Sequence, residues 1–124
     1  MEHDNGVRLV RWDDIPKEHL NDLLDRRIIC GKKIMLAHIY LKKSSIVPLH
    51  QHENEQVTYI LEGELLFWIG TEESDPISVK AGEVLCIPPN VPHKAQAVTD
   101  TLDMDVFCPP RQDWLDKTDD YLKR

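Results

Sequence analysis

Pro48-Leu49-His50-Gln51-His52-Glu53-Asn54-Glu55-Gln56, continued by Val57-Thr58-Tyr59-Ile60-Leu61-Glu62-Gly63, is the stretch whose reading decides the fold of this chain. Side chains on an extended backbone alternate between faces, so His50, His52 and Gln56 share one parity and converge inside a closed sheet. Glu53 and Glu55 then point away. Parity therefore favours Gln56 over Glu55 as an oxygen donor, although a bulge near Asn54 would exchange the two. A second stretch runs Gly82-Glu83-Val84-Leu85-Cys86-Ile87-Pro88-Pro89-Asn90-Val91-Pro92-His93. Its prolines and Asn90 predict a tight corner, with Asn90 tolerating the left-handed conformation, and His93 opens the strand that follows. That strand can return His93 to the first three residues. Three imidazoles and an amide oxygen make a donor set for one divalent transition metal ion, among Ni, Fe, Co, Mn, Cu and Zn, without selecting between them.

Outside these stretches the chain reads as short strands punctuated by Gly, Pro, Asn and Asp, the spacing of an all-β sandwich or barrel. Strands are predicted over 26–30, 33–41, 56–61, 64–69, 77–79, 84–87, 93–98 and 103–107. Leu20, Leu23 and Leu24 stand at i, i+3 and i+4 behind Asp14-Ile15-Pro16, which predicts a short amphipathic helix over 17–25. Residues 112–123, with Trp114, Leu115, Tyr121 and Leu122 among charges, predict a short helix or ordered tail on the outside of the barrel. The 124 residues allow one domain, with a barrel core over about 33–108, an N-terminal arm over 1–25 and a C-terminal tail over 109–124.

The net charge of −7 comes without a basic run, since Lys and Arg occur as pairs such as Arg26-Arg27 and Lys42-Lys43. That excludes a nucleic-acid surface and means an anionic substrate needs local help from a metal or a placed Arg. Cys30, Cys86 and Cys108 are odd in number and widely spaced, against both a disulfide framework and a thiolate metal site. No apolar run approaches the ~20 residues of a membrane span, and the opening residues are acidic and polar. A cytoplasmic location is expected. His3, His19 and His38 are read as ordinary solvated or core residues, and the facing of His38 is not fixed by the sequence.

The two stretches resemble the paired cupin motifs, G-x5-H-x-H-x3-E-x6-G and G-x5-P-x-G-x2-H-x3-N, from Ser44 to Ala97. His50, His52, Gly63, Gly82, Pro88 and His93 stand at the motif spacings. Ser44 replaces the first Gly, Gln56 the acidic ligand, Asn90 the turn Gly and Ala97 the terminal Asn. The resemblance implies a single-domain cupin, a jelly-roll β-barrel with short peripheral helices. A neutral Gln56 in place of a carboxylate leaves the charge of the ion uncompensated, which favours an anionic guest.

In Asp103-Met104-Asp105-Val106-Phe107-Cys108-Pro109-Pro110-Arg111, outward packing of Met104 and Val106 turns Asp105 and Phe107 inward. A carboxylate inside an apolar barrel is expensive unless paired or used. A structural ion pair with an Arg is the alternative to catalysis. With this segment included, the pattern is similar to the small cupins of the pectin-degradation family, which ketonise 4,5-unsaturated monouronates. That resemblance implies metal ligands at His50, His52, Gln56 and His93, a catalytic Asp105 and a substrate-contacting Arg111. It also implies a homodimer, with which an outward apolar row of Val57, Tyr59 and Leu61 is compatible. A cupin oxygenase and a non-catalytic small-anion binder or sensor are the competing expectations.

Overall fold

The computed structural model describes residues 3–123. Ten strands form two antiparallel sheets. They are β1 Glu18–Asn21, β2 Leu24–Cys30, β3 Met35–Leu41, β4 Ile46–His50, β5 Glu55–Glu62, β6 Glu64–Ile69, β7 Ile77–Lys80, β8 Val84–Ile87, β9 His93–Ala97 and β10 Thr101–Cys108. One sheet has the order β1-β2-β3-β10-β5-β8 and the other β4-β9-β6-β7. A single helical turn, α1 Gln112–Leu115, and short 3-10 turns at Trp12–Asp14 and Asp120–Lys123 complete the chain. This is the expected all-β barrel. The inner faces meet in a core built from Met35, Ala37, Ile39, Ile60, Leu65 and Phe67, among others, as alternation along each strand requires.

β5 shows why the barrel closes around one side of the sequence. Gln56, Thr58 and Ile60 are buried while Glu55 and Tyr59 are exposed, so the period of two is unbroken through the segment. The turn into β6 depends on Gly63. Its φ is +91°, and a Cβ there would fall against the Asp100 carbonyl and the Thr101 hydroxyl. Asn90 adopts φ +63° as expected, and Ser44, the other residue that replaces a motif Gly, adopts φ +75°. His38 lies on the outer face, opposite Met104 in the β3–β10 register, with its ring stacked on Trp12 at 3.6 Å.

Two expectations are corrected. Residues 17–25 form no helix but the β1–β2 hairpin, in which the Asn21 side chain accepts a hydrogen bond of 2.8 Å from the Leu23 amide. That local bond gives the backbone an alternative to a helical turn. A register shift between His19 and Asn21 then brings Leu20 and Leu24 to the same buried side while Leu23 is left exposed. Residues 18–25, assigned to an arm, thus belong to the larger sheet.

The C-terminal tail does not lie on the outside either. Trp114 and Leu122 are buried at the open end of the barrel. Trp114 lies between the guanidinium groups of Arg26 and Arg111, at 4.5 and 4.8 Å from its ring. Arg26, fully buried, pairs with Glu18 at 3.0 Å and with the buried Asp119 of the tail. A charge removed from water is tolerated only when so partnered. Asp119→Ala leaves Arg26 with Glu18 alone and is expected to cost about 2–3 kcal/mol in a urea titration. An unchanged midpoint would show that this pair does not anchor the tail.

Candidate metal centre

His50 closes β4 and His93 opens β9, and the two are register partners across that edge. β4 carries Pro48, which a strand at the edge of a sheet accepts because one side of its backbone needs no ladder bond. His52 follows in the loop, and Gln56 enters from β5 of the other sheet. One nitrogen from each of the three imidazoles lies within 4.8 Å of the others.

The imidazole tautomers follow from their partners. Nδ1 of His50, His52 and His93 lies 2.8, 3.0 and 2.9 Å from the carbonyl oxygens of Pro48, Asn54 and Val91. A carbonyl only accepts, so each Nδ1 carries the proton and each Nε2 presents a lone pair. Nε2 of His93 is buried without a hydrogen-bond partner among the described residues. Nε2 of His52 lies 3.1 Å from Oε1 of Gln56, whose amide nitrogen is engaged elsewhere. Two lone pairs then face each other with no proton between them. Two atoms bound at about 2.1 Å to one ion would have about that separation. These residues fit a divalent cation.

Burial, the neighbouring His93 and Arg111 depress His50 to about 3. Burial, Arg111 and His93 depress His52 to about 4, and burial lowers His93 as well. At neutral pH all three rings are neutral, as ligation requires. Their folded values lie below the ordinary 6.5, so their contribution to stability is complete above that value and is lost as pH falls toward 4 and then 3. Buried Asp103 and Asp105 are pushed in the opposite direction and oppose this, but they do so in wild type and in a His50 variant alike, so the difference between the two reads the imidazole. The melting temperature of metal-free protein is therefore expected to fall on acidification from pH 6.5, more steeply in the wild type than in His50→Gln. Parallel curves would contradict the assignment.

Below the imidazoles lies a polar chain. Gln56 Nε2 donates to Thr58 Oγ1 at 2.9 Å, and the Thr58 hydroxyl donates to Asp105 Oδ1 at 2.8 Å. Asp105 is inward as expected and forms no ion pair with an Arg or Lys among the described residues. Its neighbour on the same face of β10 is Asp103, also buried, which shares a hydrogen bond with it. Arg111 is nearly fully buried. Its fork holds Asp113 through two bonds of 3.0 and 2.8 Å and donates to the Tyr121 hydroxyl at 2.7 Å. The Tyr121 ring stacks on His50 at 4.6 Å. A cavity of about 40 Å³ joins His50, His93, Asp103, Asp105, Arg111 and Tyr121.

The structure thus brings His50, His52, Gln56, His93, Asp105 and Arg111 to one end of the barrel. Sequence reasoning missed Asp103, Thr58, Asp113 and Tyr121. Alternation alone places Asp103 and Thr58, two residues from Asp105 and Gln56, inside the barrel. Nothing in the sequence places Asp113 or Tyr121.

A two-sheet β-barrel with a histidine cluster at its open end is the class of protein these observations define. A Cupin domain model matches residues 37–109, and the chain belongs to that family. An uncharacterized protein of Methanocaldococcus jannaschii is 35% identical over 80 residues, 64% of this chain; the match spans 62% of that relative's length. Among solved structures, an RmlC-like cupin from Shewanella frigidimarina superposes with a TM-score of 0.79 at 24% identity, over 88% of this chain and 96% of the other. KdgF from a Halomonas species gives 0.75 at 21% identity, over 82% and 93%. At these identities the structural likeness concerns the fold. No helix among the described residues is long and apolar enough to cross a membrane.

Proposed function

We propose that the protein is a metal-dependent enzyme that opens and ketonises a small unsaturated sugar acid, a 4,5-unsaturated monouronate. The observation that carries this reading is Asp105, a buried carboxyl without a cationic partner among the described residues, sharing one cavity with the imidazole cluster. A carboxyl held so is available for proton transfer rather than committed to structure. The resemblance to the pectin-degradation cupins and the likeness in fold to KdgF support the same choice.

His50, His52, Gln56 and His93 would hold the ion, which when bound supplies a Lewis acid for the developing enolate charge. Asp105 accepts a proton from oxygen as the ring C–O bond breaks and returns one to the double-bond carbon. The reaction is an isomerisation and needs no oxidant. Arg111 holds the substrate carboxylate in the fork that now holds Asp113. Because a cavity of about 40 Å³ is far below the roughly 300 Å³ of a pocket that encloses a small molecule, the tail must swing away to admit the sugar. A homodimer is part of this reading, with Tyr59 and Val84 as exposed apolar side chains on paired strands β5 and β8; monomeric light scattering would remove it.

Metal-loaded protein is expected to accelerate the loss of ultraviolet absorbance of monouronates from pectin or alginate lyase digests, and chelated protein is not. No acceleration by folded, metal-loaded protein would reject the reading. The small cavity favours a second one, a binder of small anions without turnover. Ligand-induced stabilisation without product would support it.

A further inference from the structure

The interior chain has a direction, and the direction has a cause. Thr58 is fully buried and sits opposite Asp105 in the β5–β10 register, while Asp103 sits one step deeper opposite Ile60. Oδ1 of Asp103 has no hydrogen-bond partner among the described residues. Two carboxyls in contact away from water keep one proton between them. Burial and the charge of Asp105 raise Asp103 well above the ordinary carboxylate range. Burial raises Asp105 too, but the hydrogen bonds from Asp103 and Thr58 and the charge of Arg111 pull it back. Of the two, Asp105 is the one that the Thr58 hydroxyl reaches, at 2.8 Å, while Oδ1 of Asp103 has no partner among the described residues, so the charge is placed on Asp105 and the proton on Asp103.

An ionised carboxylate only accepts, so the Thr58 hydroxyl must turn its proton toward Asp105. The Thr58 oxygen then offers Gln56 only lone pairs, and Gln56 must meet it with its NH2. The opposite end of the amide, Oε1, is left facing Nε2 of His52. Reversal of any bond would turn an NH2 toward the imidazoles, and an NH2 does not bind a cation.

We propose that Thr58 and Asp103 are positioning residues for the metal site: Asp103, by holding the proton of the acid pair, orients the Thr58 hydroxyl, and Thr58 fixes Gln56 with its oxygen toward the ion. This rests on the ligand role of Gln56 and is independent of the substrate. The identity at position 56 makes the device necessary. A carboxylate ligand presents oxygen whichever way it turns, whereas an amide has a wrong end.

The test is Zn²⁺ affinity of purified protein in competition with a chromogenic chelator, with circular dichroism to establish folding. Thr58→Val is expected to weaken binding about 10–100-fold, the scale of losing an outer-shell partner, and Thr58→Ser to stay within about threefold of the wild type. Asp103→Leu is expected to weaken binding, while Asp103→Asn, which still donates to Asp105, restores it. The discriminating arm is a double-mutant cycle. In a Gln56→Glu background Thr58→Val is expected to change affinity by less than about threefold. Wild-type affinity in folded Thr58→Val, or an equal loss in both backgrounds, would overturn the proposal, the latter assigning Thr58 to packing. Failure of the wild type to bind Zn²⁺ would overturn it together with the metal assignment. Loss of uronate turnover with these affinities as expected would reject the substrate alone.

Discussion

Asp105→Asn is expected to slow ketonisation of the monouronate by about 10²–10⁴-fold, the usual contribution of a positioned proton-transfer group, with one metal ion still bound. The substitution is nearly isosteric. The amide oxygen of the new side chain can accept the bond that Asp105 now accepts from Thr58, so the chain to Gln56 keeps its direction. What disappears is a group able to take up and release a proton. The loss should appear in kcat with little change in KM, because the proton moves in the transition state. The check is the rate of absorbance loss beside the metal content of the same preparation. Full turnover in the variant would remove Asp105 from the chemistry and return it to structure.

His93→Ala is expected to do the reverse, removing the metal and with it all catalysis. His93 is the most buried of the three imidazoles, and its Nε2 has no protein partner among the described residues. No neighbouring side chain replaces it, so the fall in affinity should exceed the roughly 10–100-fold cost of losing an outer hydrogen-bond partner. Thermal melting reads this without substrate. A ligand at a hundred times its dissociation constant stabilises by about 2.7 kcal/mol. Zinc should therefore raise the melting temperature of the wild type and of Asp105→Asn but leave that of His93→Ala unmoved. A zinc-dependent rise in His93→Ala would mean that the ion binds elsewhere.

His50 and His52 are legible from their motif spacing rather than from alternation, since His50 ends β4 and His52 lies in the loop between the two sheets. Gln56 and Asp105 are legible by alternation, because β5 and β10 are regular from the metal end inward. The same rule, pressed two residues further, gives Thr58 and Asp103. The illegible parts depend on local bonds or long-range docking. Leu20, Leu23 and Leu24 fit a helix by spacing, and only the bond from the Leu23 amide to the Asn21 side chain, with the register shift beside it, decides for a hairpin. Pro48 hid β4, because a proline argues against a strand unless its place at a sheet edge is known. The inward course of the tail was hidden because Asp119 looks like a solvated charge until Arg26, 93 positions earlier, is seen to receive it. Arg111 is expected to contact substrate, and its bonds to Asp113 and Tyr121 follow from how the tail turns back on itself, which residue spacing does not give.

Arg111 and Asp113 are tethered, and that gives the protein an internal competitor. A carboxylate on a short linker acts at an effective concentration in the millimolar range. An acid bound as proposed would have to displace Asp113 from Arg111 and Tyr121 from His50 before it gained anything. Observed affinity is then a ratio of two equilibria. On the proposed function, acids that met only Arg111 would be screened out at micromolar levels, and only a guest that also engaged the ion would gain enough to open the tail. Selectivity would thus reside partly in what the resting protein already holds.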